Sequence, residues 1–372
     1  MPPKSSVDPK FEDLLRVITE IAILFNPVIT AVITEIYIYL ISVITNMARI
    51  VMRKVKGKKY YYLEESVKQG KKWVKKSVYL GDAVPENETL MQIYQKFEEN
   101  LRRRGIAGIT PPFTEFVTRG MATKLEKAAK GKVAFLKSLS PQQRAAFVKR
   151  ERITFVTDSN AIEGSTLDYW LTEQVVADQD RIERLQKRGV VITNMGREEQ
   201  EALNLNRCLD AYEKLLASKT ELSEEMILRL HYILLSKIEG YEKYRGVWRP
   251  VNVIIRGSSH VFPHHAEVQS LMCNLLAWYK ENEKLVHPVE LAAKLHTKFT
   301  TIHPFADGNG RMARLLMNYI LQLNGFPFTN IPLRRRSLYM RTQAAGNRGE
   351  QKPFVLFLAD EITKQNKRLK TR

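Results

Sequence analysis

Residues 303 to 314, His-Pro-Phe-Ala-Asp-Gly-Asn-Gly-Arg-Met-Ala-Arg, lie between two stretches whose apolar residues repeat at helical spacing. The stretch before them, Pro288 to Ile302, opens on a proline suited to a first helical position. The stretch after them, Met312 to Leu323, aligns Leu315, Leu316, Tyr319, Ile320 and Leu323 on one face. Such a pattern folds the intervening residues into a tight connection between two packed helices. Pro304 cannot continue the first helix, and Gly308 and Gly310 permit positive φ or the close approach of an anion. The second helix begins near Gly310, so its unpaired N–H groups and positive dipole end face the loop. Into this turn the chain places a proton acceptor, His303, a possible metal ligand, Asp307, a glycine-flanked amide, Asn309, and two guanidiniums, Arg311 and Arg314. Those are the parts of a phosphate-handling site.

The dodecamer resembles, at every specified position, the signature of the Fic family of AMP-transferring enzymes, His-Pro-Phe-x-Asp/Glu-Gly-Asn-Gly-Arg-x-x-Arg. The resemblance implies that His303 takes the proton from a target hydroxyl and that Asp307 holds Mg²⁺ between the α- and β-phosphates of ATP. It implies an anion hole of Gly308, Asn309 and Gly310, with Arg311 at the β-phosphate and Arg314 at the γ-phosphate. His303, Asn309 and Arg311 then carry catalysis, and Phe305 anchors the nucleotide-binding loop in the core. Tyr339 to Glu350 resembles the family segment that contributes to the adenosine pocket; Asn347 matches it, and Met340 stands where a tyrosine is common. Val253, Ile254, Ile255, Arg256 and Gly257 are similar to the Fic flap, a β-hairpin that presents an extended target segment by strand addition.

Farther upstream, Ser159-Asn-Ala-Ile-Glu163-Gly164 matches the family's inhibitory pattern. Ser159 and Glu163 are four residues apart and share a helix face. A carboxylate there could pair with Arg314 and occupy the guanidinium that the γ-phosphate needs. Read alone, the hexamer is equally a helix end capped by Gly164.

The resemblance covers about residues 120 to 360 and implies a mainly α fold: a Fic-domain helical bundle with a β-hairpin flap and a small N-terminal β-hairpin. The expected divisions are a hydrophobic segment at 1–52, a basic β-hairpin at 53–84 and the Fic region at 85–372, with its inhibitory helix near 150–165 and its catalytic core at about 200–360. The function implied is self-inhibited AMP transfer from ATP, with Mg²⁺, to a Tyr, Thr or Ser hydroxyl of a protein, the chain itself included. Removal of AMP from a modified protein is the enzymatic alternative, and a non-catalytic basic binding module is the non-enzymatic one. A homodimer is compatible with either.

Composition bounds the partners. The net charge of +19, with much of the excess between Arg49 and Arg152, could steer nucleic acid, anionic lipid or an acidic protein. No zinc finger or other nucleic-acid motif accompanies it. Two cysteines, Cys208 and Cys273, both in helical patterns, are expected as reduced, buried thiols of a cytoplasmic protein. Within residues 14–48, Ile21 to Thr34 and Ile36 to Ala48 carry no charge and only Glu35 interrupts them, and a basic flank follows. This stretch is long enough for a membrane anchor that leaves the enzyme in the cytoplasm. Packed or partner-binding helices, or an extension ahead of a true start at Met52, fit it as well. Residues 59–81 read as a hairpin about Gln69-Gly70, rich in Tyr, Val and Lys.

Overall fold

The computed structural model describes residues 49–55, 57–69, 72–85, scattered positions from 89 to 101, and 114–188, 195–255 and 260–370. The apolar segment at 14–48 lies outside them, as do flap residues Arg256 and Gly257. Among the described residues no helix is long and apolar enough to cross a membrane. The chain divides after Glu115 into two units.

The first unit contains a three-stranded antiparallel sheet in the order β1 (Arg49–Val55), β2 (Lys58–Gln69), β3 (Lys72–Gly81). Gln69 pairs with Lys72, so the turn falls where Gln69-Gly70 signalled it. The sequence reading foresaw two strands. The third, β1, runs across the expected division at 52/53 because Ile50, Val51 and Met52 pair with Leu63, Tyr62 and Tyr61. Strand alternation sends Leu63 to one face, where it packs with Phe97 and Leu101 and with Ile50, Val78 and Leu80.

In the second unit eleven α-helices are described: α1 (Arg119–Ser138), α2 (Pro141–Glu163), α3 (Tyr169–Ala177), α4 (Gln179–Lys187), α5 (Arg197–Ala217), α6 (Glu224–Leu234), α7 (Val268–Asn282), α8 (Pro288–Ile302), α9 (Asn309–Leu323), α10 (Arg336–Asn347) and α11 (Lys352–Lys370). α8 and α9 have the expected bounds and pack on each other at the centre, with α5, α7, α10 and α11 around them. Both are buried nearly all round, the signature of a central helix. Their buried polar groups are matched internally. Glu290 holds Lys294 at 2.8 Å and accepts the backbone N–H groups of Phe116 and Val117, each at 2.9 Å. Asn318 exchanges hydrogen bonds with the Thr329 backbone at 2.7 and 3.1 Å, which ties down the chain beyond α9.

α2 begins where Ser140-Pro141 predicts: Ser140 and Gln143 form a reciprocal capping box, with Pro141 in the first turn. It ends on Gly164, whose φ of 113° is the left-handed conformation that glycine adopts at little cost. Two sequence expectations are corrected here. Residues 251–255 and 260–264 form no strand, so a β-hairpin flap is absent among the described residues; irregular backbone takes its place. Cys273 is exposed on α7, whereas Cys208 is buried as expected, its Sγ 3.3 Å from the Leu230 carbonyl. Helical periodicity alone did not say which face of α7 each residue takes.

α10 meets α8 at a glycine. A Cβ on Gly346 would lie 2.2 Å from Thr297 Cγ2, and that rotamer is fixed by the 3.0 Å bond from Thr297 Oγ1 to the Ala293 carbonyl. Gly346→Ala gains helix propensity of about 1 kcal/mol but overpacks the contact by about 1–3 kcal/mol. The expected net result is a fall in melting temperature of a few degrees. Thr297→Ser, which removes the offending methyl, restores it in the double variant; differential scanning calorimetry on the four proteins of this cycle decides.

Candidate active site

α8 ends on His303, which adopts φ 52° and ψ 61°, unusual for a residue with a Cβ. The turn is held from several sides. Arg249 Nε donates to the His303 carbonyl at 2.8 Å, and the Arg249 N–H donates to the Pro304 carbonyl at 2.9 Å. Asn309 accepts from the Phe305 N–H at 2.9 Å and donates to the Phe305 carbonyl at 2.7 Å. Both polar ends of the Asn309 side chain are therefore spent on the loop, leaving its backbone for any anion. Phe305 is fully buried, stacked on His231 at 3.5 Å and flanked by Trp248 at 5.0 Å. Its side chain supports the loop from below and is out of reach of a ligand. Gly308, at φ 80°, faces Leu234, which a Cβ would meet at 2.9 Å.

His231 was not singled out from the sequence, yet it organises the loop. The Gly246 N–H donates to its Nδ1 at 3.1 Å, which puts the ring proton on Nε2, and Nε2 donates to the Asp307 carbonyl at 3.0 Å. Burial pushes its pKa down to about 3, so the ring remains neutral. Burial also lowers His303, to about 4, which leaves an unprotonated imidazole at neutral pH. The Phe262 ring lies 4.7 Å from it.

The charged groups converge at the start of α9. Arg311 is 2% exposed; its Nη1 lies 3.1 Å from Glu201 and its Nη2 3.4 Å from Asp307, while its buried Nε finds no hydrogen-bond acceptor. Asp307 also meets Arg197 Nη2 at 3.3 Å, and Arg197 pairs with Glu201 at 2.9 Å across one turn of α5. Arg314 is 1% exposed. Its Nε donates to Ser159 Oγ and its Nη2 to the Ser159 carbonyl, both at 2.8 Å; Nη2 also contacts Glu163 Oε1 at 2.8 Å, and Nη1 donates to the Tyr339 hydroxyl at 3.2 Å. The Tyr339 hydroxyl in turn lies 3.0 Å from His296 Nε2, which is buried in the core. A Cβ on Gly310 would come within 2.1 Å of Glu163 Oε1, so the carboxylate sits directly over the loop's second glycine.

The structure thus gathers His303, Asp307, Gly308, Gly310, Arg311, Arg314, Ser159 and Glu163 in one place. Asn347 accepts a hydrogen bond from Thr301 Oγ1 at 2.9 Å, one turn before the loop, and Met340 is exposed. Of the flap, Val253 is half-buried and Ile255 exposed, while Ile254 is 94% exposed. Arg197, Glu201, His231 and Arg249 were not found from the sequence, and Tyr339, which opens the segment likened to the adenosine pocket, was not foreseen as a partner of Arg314. The Arg197–Glu201 spacing of four is a helical ion-pair signal; His231 and Arg249 carry none.

The sequence pattern of the Fic/DOC family matches residues 221–321. Residues 221–321 are a Fic domain. The protein adenylyltransferase Fic of Drosophila grimshawi is 34% identical over 203 residues, covering 54% of this chain and 39% of that protein. The Drosophila melanogaster protein of the same name is 33% identical with the same coverage. The matched region is thus about two fifths of these relatives' length. A Fic domain containing signaling protein from Bacteroides thetaiotaomicron superposes with a TM-score of 0.54 at 25% identity, covering 66% of this chain and 95% of that one. Fic-1 from C. elegans gives 0.53 at 23% identity, covering 77% and 78%, a likeness of fold. Ser159, Glu163 and Asn347 lie outside the Fic-domain match, so their places rest on the geometry above.

Buried neutral histidines make this Fic domain acid-sensitive. His231, His287 and His303 are held at about 3, 4 and 4, and His296 well below its ordinary value, all chiefly by burial. Below the unfolded value of about 6.5 the unfolded chain takes up protons that the fold refuses. Their contribution is therefore complete above about pH 6.5 and is lost as pH falls toward 4, at roughly 1 kcal/mol per pH unit for each buried ring. A melting temperature unchanged between pH 7 and 4.5 would contradict this burial pattern.

Proposed function

We propose that the chain transfers AMP from ATP to a hydroxyl side chain of a protein, and that Glu163 restrains it. The observation that carries this reading is the convergence of two buried guanidiniums, Arg311 and Arg314, on a glycine loop at a helix N-terminus beside the neutral imidazole of His303. The relatives named protein adenylyltransferase Fic support it, since they align with the Fic domain that bears this loop.

The residues present fit a triphosphate. Arg311 Nε is buried without an acceptor, and the first turn of α9 offers unpaired N–H groups over Gly310, where any side chain would intrude. They also fit Mg²⁺, which is commonly held by one or two carboxylates plus substrate phosphates. Asp307, partly exposed, is that carboxylate, and the ion would neutralise phosphate charge. His303 accepts the proton of the target hydroxyl as its oxygen bonds to the α-phosphorus; the bond from that phosphorus to the bridging oxygen breaks, and pyrophosphate leaves. Arg311 and Arg314 bind the departing phosphates, and Arg249 keeps His303 in its left-handed turn. The exposed apolar residues Ile254, Ile255 and Val261 offer a docking edge for the target chain.

The restraint follows from charge and space. Glu163 Oε1 occupies both Arg314 and the volume over Gly310, where a terminal phosphate would carry the same sign of charge. Self-modification is the simplest assay, because it needs no identified target. With labelled ATP, His303→Ala is expected to lower AMP transfer about 10²- to 10⁴-fold while nucleotide binding persists. Glu163→Gly is expected to raise transfer well above the parent, and Arg314→Ala to abolish it with or without Glu163→Gly. If a folded Glu163→Gly protein transfers less AMP and the parent releases AMP from a modified protein, the hydrolytic reading replaces this one.

A further inference from the structure

The sheet in the first unit has two faces that differ. One packs on Phe97 and Leu101. The other follows from the register: Tyr62 lies between Val51 and Tyr79, and Tyr60 faces Arg53, so the rings of Tyr60, Tyr62 and Tyr79 share a side of the sheet with Arg53, Glu64 and Lys75. The Tyr79 ring centroid is 6.1 Å from that of Tyr60 and 5.4 Å from that of Tyr62, at interplanar angles of 52° and 53°. The tilt keeps the rings from covering one another's faces. Tyr79 is 52% exposed, and Arg53 lies 4.6 Å over the Tyr62 ring.

The charge on this face is arranged with the cations outward. Glu64 is 5% exposed and pairs with Arg53 at 2.8 Å and Lys75 at 3.2 Å, which are themselves 46% and 63% exposed. Solvent therefore meets guanidinium, ammonium and aromatic ring, while the carboxylate is covered. Residues 49–81 carry eleven Lys and Arg against two Glu, a net +9 out of the chain's +19. We propose that this face binds single-stranded nucleic acid, with bases stacked on Tyr79 and its neighbours and phosphates met by the flanking cations.

The chemistry selects this partner over other polyanions. Exposed tyrosine faces beside lysine and arginine are the recurrent device for holding unpaired bases, because every base offers a π-face. A duplex hides those faces within its stack and would meet only the cations. A phospholipid surface would likewise use charge and leave the tyrosine faces without a specific role.

The test uses the full-length chain and fluorescence anisotropy with labelled oligo-uridine RNA and oligo-thymidine DNA. A duplex of equal length and phosphatidylserine vesicles serve as competitors, at two salt concentrations. Single strands are expected to bind more tightly than the duplex, and a preference between the two oligonucleotides tells RNA from DNA. Tyr79→Ala should weaken binding about tenfold, Tyr79→Phe should bind as the parent does, and Arg53→Gln should weaken both oligonucleotides and reduce the salt dependence. Because Tyr79 is half exposed, its variants leave the fold intact, and the readout does not involve AMP transfer. The proposal fails if single strands do not bind. It fails equally if duplex or vesicles compete as well as single strands, or if Tyr79→Ala is without effect.

Discussion

Two guanidiniums buried at the positive end of a helix are the constraint around which the second unit is built. Arg311 and Arg314 lie in the opening turns of α9, where the helix dipole already disfavours positive charge. A cation taken out of water there demands anionic or carbonyl partners. The fold supplies them from three directions: Asp307 from the loop, Glu201 from α5, and Glu163 with the Ser159 carbonyl from α2. α2 and α5 are thus fixed against α9 by charge as well as by apolar packing. Each carboxylate is more exposed than the arginine it serves, at 28%, 13% and 38% against 2%, 2% and 1%. The carboxylates thus lie between the guanidiniums and solvent, which keeps the guanidiniums in the core.

A second buried guanidinium problem is solved without any carboxylate. Arg249 is 2% exposed, and its partners are the carbonyls of His303, Val251 and Pro263, the last two at 2.9 and 2.5 Å. Charge-assisted bonds of this kind are among the stronger ones a protein makes. They join Val251 and Pro263 to His303, whose backbone is left-handed. A change of conformation at Val251 or Pro263 would reach His303 through one side chain.

The helix pair α8–α9 and its loop were legible because they are written locally: a proline start, a proline stop, two glycines and continuous apolar periodicity. Ser159 and Glu163 were legible through spacing and resemblance, and their contact with Arg314 follows from α2 packing beside α9. Arg197, His231 and Arg249 were not legible, because each acts on a partner tens of residues away through a backbone carbonyl or a shared carboxylate, and no local pattern marks such a contact. β1 was hidden by its apolar content, which reads as the end of the preceding hydrophobic segment until Tyr62 and Leu63 are seen to pair with it. The expected flap hairpin shows the opposite failure. Val-Asn-Val-Ile-Ile has strand propensity, but the segment's backbone carbonyls at Val251 and Pro263 are claimed by Arg249.

The way Arg314 is held bears on how the proposed restraint works. Glu163 supplies one of its contacts, while Ser159 supplies two, through Oγ to Nε and through its carbonyl to Nη2, and Tyr339 a further one. Removing the glutamate would leave the guanidinium anchored in its present position by neutral groups. Release therefore consists in lifting a negative charge from above Gly310 and exposing a guanidinium already in place. Under the proposed restraint Arg314 therefore needs no rearrangement, only a shift of the last turn of α2 away from it. That turn is held where Arg336 Nε reaches the Ile162 carbonyl at 2.8 Å and where Asp158 accepts the Leu333 N–H at 3.0 Å. The end of α2 that carries the glutamate is thus tied down at its junction with residues 333–336, outside the glycine loop.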